Sequence, residues 1–261
     1  MKENNSIEFD YKINDIDSII SNFKYYKNPI ELYPLSFLQS RYEKKYIISQ
    51  NQFRQLMNNK KIQYKYSLGF SRTFIKYSNQ YYDLKNLHLY RIHHNGKKDR
   101  HKIRTRSYDG FNKTFELNYK NNRNLIIKNR FPIKDGQDPL LIYAEKINAL
   151  TKYNPESLYK SLKTEYYRTT FFNRDLPERI TVDTNLLFSG EIEKKLSKIF
   201  VIELKTNSYS NRSTFSNMLK EMRIHPIPFS KYCTGISLTN SEIKKNNFKQ
   251  IIYKINKIME N

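Results

Sequence analysis

The chain has 261 residues and carries 47 Lys and Arg against 25 Asp and Glu, which gives a formal net charge of +22 at pH 7. No apolar run approaches the ~18 residues of a membrane-spanning helix, and residues 1–10 lack the pattern of a signal peptide. A single cysteine, Cys233, excludes a disulfide scaffold, and the six glycines form no nucleotide-binding motif. We therefore expect a reducing, cytoplasmic location and a polyanionic partner, with a Lys-rich composition bias as the alternative source of the charge.

The predicted elements begin with an N-terminal extension over residues 1–35, which contains a short helix around 16–23. A strand over 41–48 then leads into a helix over 50–58, where Ser49 and Gln52 form a capping box. The pattern changes to period two from residue 70 to residue 131, with Asn/Gly turns between the apolar runs, and this predicts strands. They are placed at 71–77, 81–83, 102–108, 114–119 and 125–131.

The second half combines short helices with further strands. The pairs Asp138-Pro139 and Asn154-Pro155 each predict a helix start. Apolar residues between Phe248 and Met259 recur at helical spacing behind Thr239 and Glu242, a second capping box, and predict an amphipathic tail helix. Strands are placed at 165–172, 179–183, 200–205 and 235–238, and a helix at 214–222.

These elements predict an α+β fold that is mainly antiparallel β, with about eight strands and peripheral helices. An all-antiparallel sheet of that size often closes into a barrel. The chain is therefore predicted to comprise three segments: an extension over 1–35, a central domain over 36–240, and a C-terminal helix over 241–261 that packs on the barrel. A membrane surface or a partner is the alternative contact for the helix's apolar stripe.

Charged residues share one face of several predicted strands, because side chains two positions apart point the same way. Lys102, Arg104 and Arg106 lie opposite Ile103 and Thr105. A solvated sheet face also alternates, but it mixes both signs of charge, whereas these positions are mostly cationic. Turned inward, such faces would form a basic tunnel for phosphate chains, with a few glutamates for a divalent metal. The other sets are Arg41, Glu43 and Lys45; Glu116, Asn118 and Lys120; Lys128 and Arg130; and Glu203 and Lys205.

Six short segments follow one another in an order found in one known family. They are Arg41 with Lys45; Tyr81-Tyr82-Asp83 with Leu89-Tyr90; Lys102-Ile103-Arg104-Thr105-Arg106; Tyr167-Arg168-Thr169-Thr170-Phe171 with Arg179-Ile180-Thr181-Val182-Asp183-Thr184; Glu203-Leu204-Lys205; and Phe229-Ser230-Lys231-Tyr232 with Gly235. Over residues 41–238 the chain thus resembles the VTC (vacuolar transporter chaperone) domain. That domain is the polyphosphate polymerase branch of the triphosphate tunnel metalloenzymes, a CYTH-like superfamily.

The resemblance implies a closed eight-stranded tunnel barrel whose lumen binds ATP and inorganic polyphosphate or pyrophosphate. The γ-phosphoryl group of ATP would pass to the growing chain with Mn²⁺ or Mg²⁺ bridging phosphate oxygens. Lys231, Arg104 and Arg106 would be catalytic and Glu203 would bind the metal. Glu43 and Glu116 are weaker candidates for the metal, and salt bridges to neighbouring Arg and Lys are the more expected role for both. The implied phosphate-binding residues are Arg41, Lys45, Lys102, Lys120, Lys128, Arg130, Arg168, Arg179 and Lys205.

One departure from the family pattern keeps other functions open. Asn118 stands where the family has a lysine, and Lys120 on the same face is a partial substitute. A non-catalytic polyphosphate- or triphosphate-binding regulatory subunit is therefore an alternative to the polymerase. A triphosphate hydrolase of the same fold is another, although such enzymes favour Glu-x-Glu strands, which the predicted barrel strands lack.

Nucleic acid is not an expected partner. A protein that binds it would carry aromatic side chains among the basic ones to stack on bases, whereas Phe115 and Tyr119 alternate with the charges and fall on the opposite face. A polymer product that crosses a membrane would require a separate channel protein, since the sequence shows no membrane span.

Overall fold

The computed structural model describes residues 13–25, 42–69, 74–123, 125–206 and 213–260. The chain divides into two compact units. The first comprises Met1–Thr73, Thr169–Val182 and Phe200–Pro226, and the second comprises Phe74–Arg168, Asp183–Ile199 and Ile227–Asn261. The predicted division at residues 35 and 240 stays a prediction.

The strands found in the described residues confirm a mainly antiparallel sheet. Numbered along the chain, they are β1 (Tyr42–Ser49), β2 (Tyr66–Leu68), β3 (Ile75–Leu84), β4 (Arg100–Tyr108), β5 (Phe111–Lys120), β6 (Ile126–Pro132), β7 (Leu158–Asn173), β8 (Glu178–Ser189), β9 (Glu193–Leu196) and β10 (Ile199–Thr206). The antiparallel pairs include β2–β7, β3–β4, β3–β7, β4–β5, β5–β6 and β8–β9.

The hydrogen-bonded order is β1-β10-β8-β7-β3-β4-β5-β6, with β2 added on β7 and β9 on β8. In the part of the chain that the structure describes, β1 and β6 stand at the two ends of this order. Each pairs with one neighbour, so hydrogen bonds do not close the sheet. The closed barrel expected from the sequence is therefore not confirmed.

Several helices begin at a side-chain cap. Ser49 and Gln52 form the predicted capping box, because each side chain accepts the other residue's backbone N–H. Asp138 caps a helix as predicted, whereas Asn154 caps only the 3₁₀ turn Pro155–Ser157. The helices are α1 (Ile13–Ile20), α2 (Gln50–Met57), α3 (Lys60–Lys65), α4 (His88–His94), α5 (Pro139–Ile142), α6 (Ala144–Thr151), α7 (Thr214–Glu221), α8 (Lys231–Thr239) and α9 (Lys249–Glu260).

The predicted strand at 235–238 is wrong, because these residues belong to α8. A short apolar run is compatible with either a buried strand or a buried helix. Ser230 decides between them, since its hydroxyl accepts the N–H of Cys233 and starts a helix before the run begins. Thr239 is the last residue of that helix, so the second predicted capping box is also wrong: Asn240, not Thr239, accepts the N–H of Glu242.

The first unit packs its helices around aromatic side chains. Phe53 of α2 stacks on Phe200 of β10 with ring centroids 4.6 Å apart. Tyr66 of β2 contacts Phe215 of α7 edge to face, with centroids 5.8 Å apart. These buried rings fix α2 against β10, the strand that carries Glu203 and Lys205, and α7 against β2.

The second unit buries the apolar face of β3, β4 and β5. Ile103, Phe115 and Leu117 form one core with Leu89 of α4 and Ile147 of α6. Since alternate residues of a strand point to opposite faces, this core commits the cationic residues of β4 to the other face of the sheet.

Gly235 lets α8 pack closely on the sheet. A Cβ atom there would lie 2.5 Å from Cδ2 of Leu162 and 2.7 Å from Cδ1 of Phe188. Both distances are below ordinary van der Waals contact, so a larger residue would push α8 away from β7 and β8. This close approach explains why a glycine ends the segment that begins at Phe229.

We predict that Gly235→Val lowers the free energy of unfolding by about 1–3 kcal/mol or more, because the side chain overpacks this contact. Urea denaturation checks the value. Asn148→Val, at an exposed position of α6, is the control, with an expected change within about 0.5 kcal/mol. Equal stability of the two variants would contradict the close packing of α8.

Candidate functional site

Glu116 lies at the centre of an arginine cluster in the second unit. It stands in register between Arg104 of β4 and Arg130 of β6. Arg104 donates to Oε2 from Nη2 at 2.6 Å and from Nε at 2.8 Å. Oε1 lies 3.3 Å from Nε of Arg130 and 3.8 Å from Nη1 of Arg106. One carboxylate thus holds three guanidinium groups.

The arginines keep Glu116 ionised although it is only 1% exposed. Burial alone would raise the pKa of Glu116, but Arg104, Arg106 and Arg130 lower that pKa to about 2. Glu116 thus forms salt bridges, as the sequence led us to expect.

Asp183 of β8 forms a second buried anion, which the sequence analysis did not single out. Arg168 of β7 binds it through Nε to Oδ1 at 2.5 Å and through Nη2 to Oδ2 at 2.8 Å. The ammonium group of Lys231 also donates to Oδ2. Burial opposes ionisation, yet the charges of Arg168 and Lys231 hold the pKa of Asp183 below its ordinary value. Asp183 lies within the segment from Arg179 to Thr184 that contributed to the family resemblance, but nothing in the sequence indicated that Arg168 and Lys231 would bind it.

Two tyrosine rings order the cations into a row. Tyr77 and Tyr166 stack with centroids 5.3 Å apart. The guanidinium carbon of Arg168 lies 4.9 Å from the Tyr77 centroid, and that of Arg106 lies 5.7 Å from the same centroid. Nζ of Lys231 lies 4.4 Å from the Tyr166 centroid. Arg106, Arg168 and Lys231 therefore form what we call the cation row.

Aromatic residues do lie on this basic face, contrary to the sequence argument against nucleic acid. They are nevertheless poor platforms for bases, because Tyr81 is 3% exposed and Tyr166 is 1% exposed. Cationic side chains cover their rings. Phe115 lies in the core on the opposite face, as predicted.

Asn118 lies between two lysines. It stands in register with Lys102 of β4 and Lys128 of β6. Its amide donates to Oε2 of Glu116 at 3.3 Å, and Nζ of Lys102 donates to the Ser230 hydroxyl at 3.2 Å. Lys102 and Lys128 thus supply cations on either side of the position where the family lysine is missing. Lys120, the expected substitute, lies further along β5 in register with Arg100.

The remaining site residues that the structure describes lie in the first unit. Glu43 and Lys45 of β1 form an ion pair of 2.7 Å, and Glu203 of β10 pairs with Lys205. Arg179 lies on β8, and Arg41 lies outside the described residues. The predicted site residues therefore fall into two groups, one in each unit.

The carboxylates offer few ligands to a metal. Across the described ranges, no three His, Cys, Asp or Glu side chains are grouped so that they could hold an ion. Mg²⁺, however, is commonly held by one or two carboxylates together with substrate phosphates. Glu203 fits that mode, since it is one carboxylate beside a cation, Lys205, that can also bind phosphate.

Comparison with known proteins identifies the family of the chain and a solved structure that shares its fold. The VTC domain family matches residues 40–240. A crystal structure of a proposed adenylate cyclase from Bacillus halodurans is 16% identical, covers 78% of this chain and 98% of its own, and has a TM-score of 0.53. A second proposed adenylate cyclase, from Vibrio parahaemolyticus, is 13% identical over 76% of this chain and 98% of its own, with a TM-score of 0.44. No curated protein matches the chain.

None of the described helices is long and apolar enough to cross a membrane. The Bacillus halodurans structure shows a shared fold and nothing finer at that identity. The family match is more specific, because it runs from the start of β1 to the end of α8 and includes all the segments that suggested the resemblance. The chain belongs to the VTC domain family.

Proposed function

We propose that this protein is a polyphosphate polymerase that transfers the γ-phosphoryl group of ATP to a growing inorganic polyphosphate chain. The cation row carries the proposal, because Arg106, Arg168 and Lys231 lie side by side over buried carboxylates. Such a density of positive charge suits a ligand with closely spaced negative charges. Membership of the VTC family supports a polyphosphate-related function and an enzyme of the phosphotransferase kind.

The geometry matches what phosphoryl transfer requires. The reaction depends on positioning and on neutralising charge that develops on the transferred oxygens. Arg104 and Arg106 present planar groups that bind phosphate through two hydrogen bonds, and Glu116 holds them in place before substrate arrives. Little reorganisation is then needed when the phosphates bind.

Lys231 provides a compact charge at the start of α8. In the structure its ammonium group binds Asp183, and phosphate oxygens would replace or share that contact. We assign Lys231, Arg104 and Arg106 to the transferred phosphoryl group. The proposed binding residues for the rest of the phosphate chain are Arg41, Lys45, Lys102, Lys120, Lys128, Arg130, Arg168, Arg179 and Lys205.

A divalent ion, Mn²⁺ or Mg²⁺, would neutralise and bridge the phosphate oxygens when bound, with Glu203 as its protein ligand. Closure of the strands into a tunnel around the chain is part of the proposal. A cytoplasmic location and a separate membrane channel for the product stay predictions.

Asn118 favours one second candidate, a regulatory subunit that binds polyphosphate or triphosphate without transfer. The flanking Lys102 and Lys128 argue for the polymerase, because they supply charge on both sides of the missing lysine. A triphosphate hydrolase would release phosphate from the same site without making polymer.

The first test incubates purified protein with ATP, Mn²⁺ and pyrophosphate and detects polymer by gel and ³¹P NMR. We predict polymer from the wild type and a loss of about 10²–10³-fold in Lys231→Ala, since one preorganised charge at the transferred group is removed. Lys249→Ala, at an exposed position of α9, is the control and should match wild type. Binding of polyphosphate without polymer would support the regulatory subunit, and phosphate release without polymer would support the hydrolase.

Glu116→Gln tests the role of the buried anion. A carboxylate whose folded pKa is about 2, against an ordinary value of 4.5, stabilises the fold above the unfolded pKa and loses that contribution as pH falls from 4.5 to 2. We therefore predict that the variant is less stable than wild type by about 3 kcal/mol at pH 7 and that the gap closes towards pH 2. Urea denaturation at several pH values measures it. A gap that does not change with pH would contradict the ion-pair role.

Asn118→Lys tests whether the missing lysine limits function. Because two lysines already flank the position, we predict that wild type makes polymer. We also predict that the variant binds tripolyphosphate about 5–10-fold more tightly, which is a modest gain in binding free energy of about 1 kcal/mol. Calorimetry at two salt concentrations measures the binding, with Asn118→Gln as the uncharged control. Polymer formation by the variant alone would show that wild type is a binding subunit.

A further inference from the structure

Asp83, in the segment Tyr81-Tyr82-Asp83, is a fully buried carboxylate. It has no role in the reaction proposed above. Its Oδ1 accepts the N–H groups of Leu84 at 2.6 Å and Leu89 at 2.7 Å. Its Oδ2 accepts the N–H of Tyr90 at 3.0 Å and the hydroxyl of Tyr232. Asp83 therefore joins the start of α4 to the residue that follows Lys231.

The turn before α4 is shaped for this contact. Leu87 has φ of 52° and Asn86 has φ of 60°, values in the left-handed region that a leucine rarely adopts. The conformation brings the N–H groups of Leu89 and Tyr90 to the same carboxylate. Local strain of this kind persists only where the surrounding contacts enforce it, and Asp83 supplies them.

The contacts between α4 and α8 extend along both helices. The Tyr90 hydroxyl lies 2.9 Å from the Ser237 hydroxyl and donates to the Lys244 carbonyl at 3.0 Å. Sγ of Cys233 lies 2.8 Å from Nδ1 of His93. Along the chain, the contact between Asp83 and Tyr232 is adjacent to Lys231, whereas the contact at Ser237 lies six residues after Lys231.

Tyr232 also connects α8 to the arginine cluster. Its ring stacks on Tyr81 with centroids 5.0 Å apart. The Tyr81 hydroxyl accepts a hydrogen bond from Nη1 of Arg104 at 3.1 Å. One side chain, clamped between Asp83 and Tyr81, thus sets the first turn of α8 against the strand that bears Arg104.

We propose that Asp83 is a positioning residue for Lys231 and that it acts through the hydroxyl of Tyr232. The inference rests on the proposed function, because Lys231 is the residue assigned to the transferred phosphoryl group. The hydroxyl fixes the rotation of the first turn of α8 and hence the place of the ammonium group. A displacement of about 1 Å at such a group can cost about 10²-fold in rate.

Tyr232→Phe tests this directly, since it removes the hydroxyl and keeps the ring stacked on Tyr81. We expect kcat to fall by about 10–100-fold. The KM for ATP and the affinity for tripolyphosphate should change by less than about threefold, because the arginines that bind phosphate are untouched. Asp83→Asn should shift kcat in the same direction.

Tyr90→Phe is the matched control. It removes a hydroxyl from the same interface between α4 and α8, at a contact further from Lys231, and should lower the urea midpoint about as much as Tyr232→Phe does. Its kcat should stay within about threefold of wild type. Equal losses of kcat in the two variants would reduce Asp83 to a structural residue, and an unchanged kcat in Tyr232→Phe would overturn the proposal.

A second readout does not depend on polymerase activity. Peptide mass spectrometry measures the rate at which acetic anhydride modifies Lys231. This rate should change at least about threefold in Tyr232→Phe and not in Tyr90→Phe, because only the first change frees the turn that bears the ammonium group. Inactive wild-type protein would contradict the proposed function alone. Unchanged modification of Lys231 in both variants would contradict the positioning role.

Discussion

Buried carboxylates beneath packed cations are the interaction on which the rest of the site depends. Guanidinium and ammonium groups repel one another when they lie side by side with little water, so the folded protein must supply anions next to them. Glu116 and Asp183 do this while leaving much of the positive charge uncompensated. The cations are thus held in position, and the positive charge that the two carboxylates leave uncompensated can still attract a polyanionic ligand.

The sheet makes this arrangement possible because one of its faces buries apolar side chains and the other carries the charged ones. One face of β4 and β5 buries Ile103, Phe115 and Leu117 in the core. The alternation of side chains then forces Arg104 and Glu116 to the other face, where register places them opposite each other. Close packing of α8 at Gly235 and the contact of Tyr232 with Asp83 bring Lys231 to the same group of charges.

Much of this could be predicted from period-two patterns. The shared faces of β4 and β5 and the capping box at Ser49 need only local information. The helix α8 could not be predicted, because its apolar residues are buried on nearly all sides and leave no amphipathic stripe. Asp183 and the ring of Tyr166 were missed for a different reason: their importance comes from partners distant in sequence, which no spacing rule reveals. The distribution of site residues over two units is likewise a property of the folded chain.

In our proposal, the cations held by Glu116 and Asp183 form the binding site for a phosphate chain. A crystal structure of the protein with tripolyphosphate tests it most directly. We predict phosphate oxygens within hydrogen-bond distance of Arg104, Arg106, Arg168 and Lys231, with the carboxylates still bound behind the arginines. Tripolyphosphate bound elsewhere, with all four cations contacting only protein, would contradict the claim.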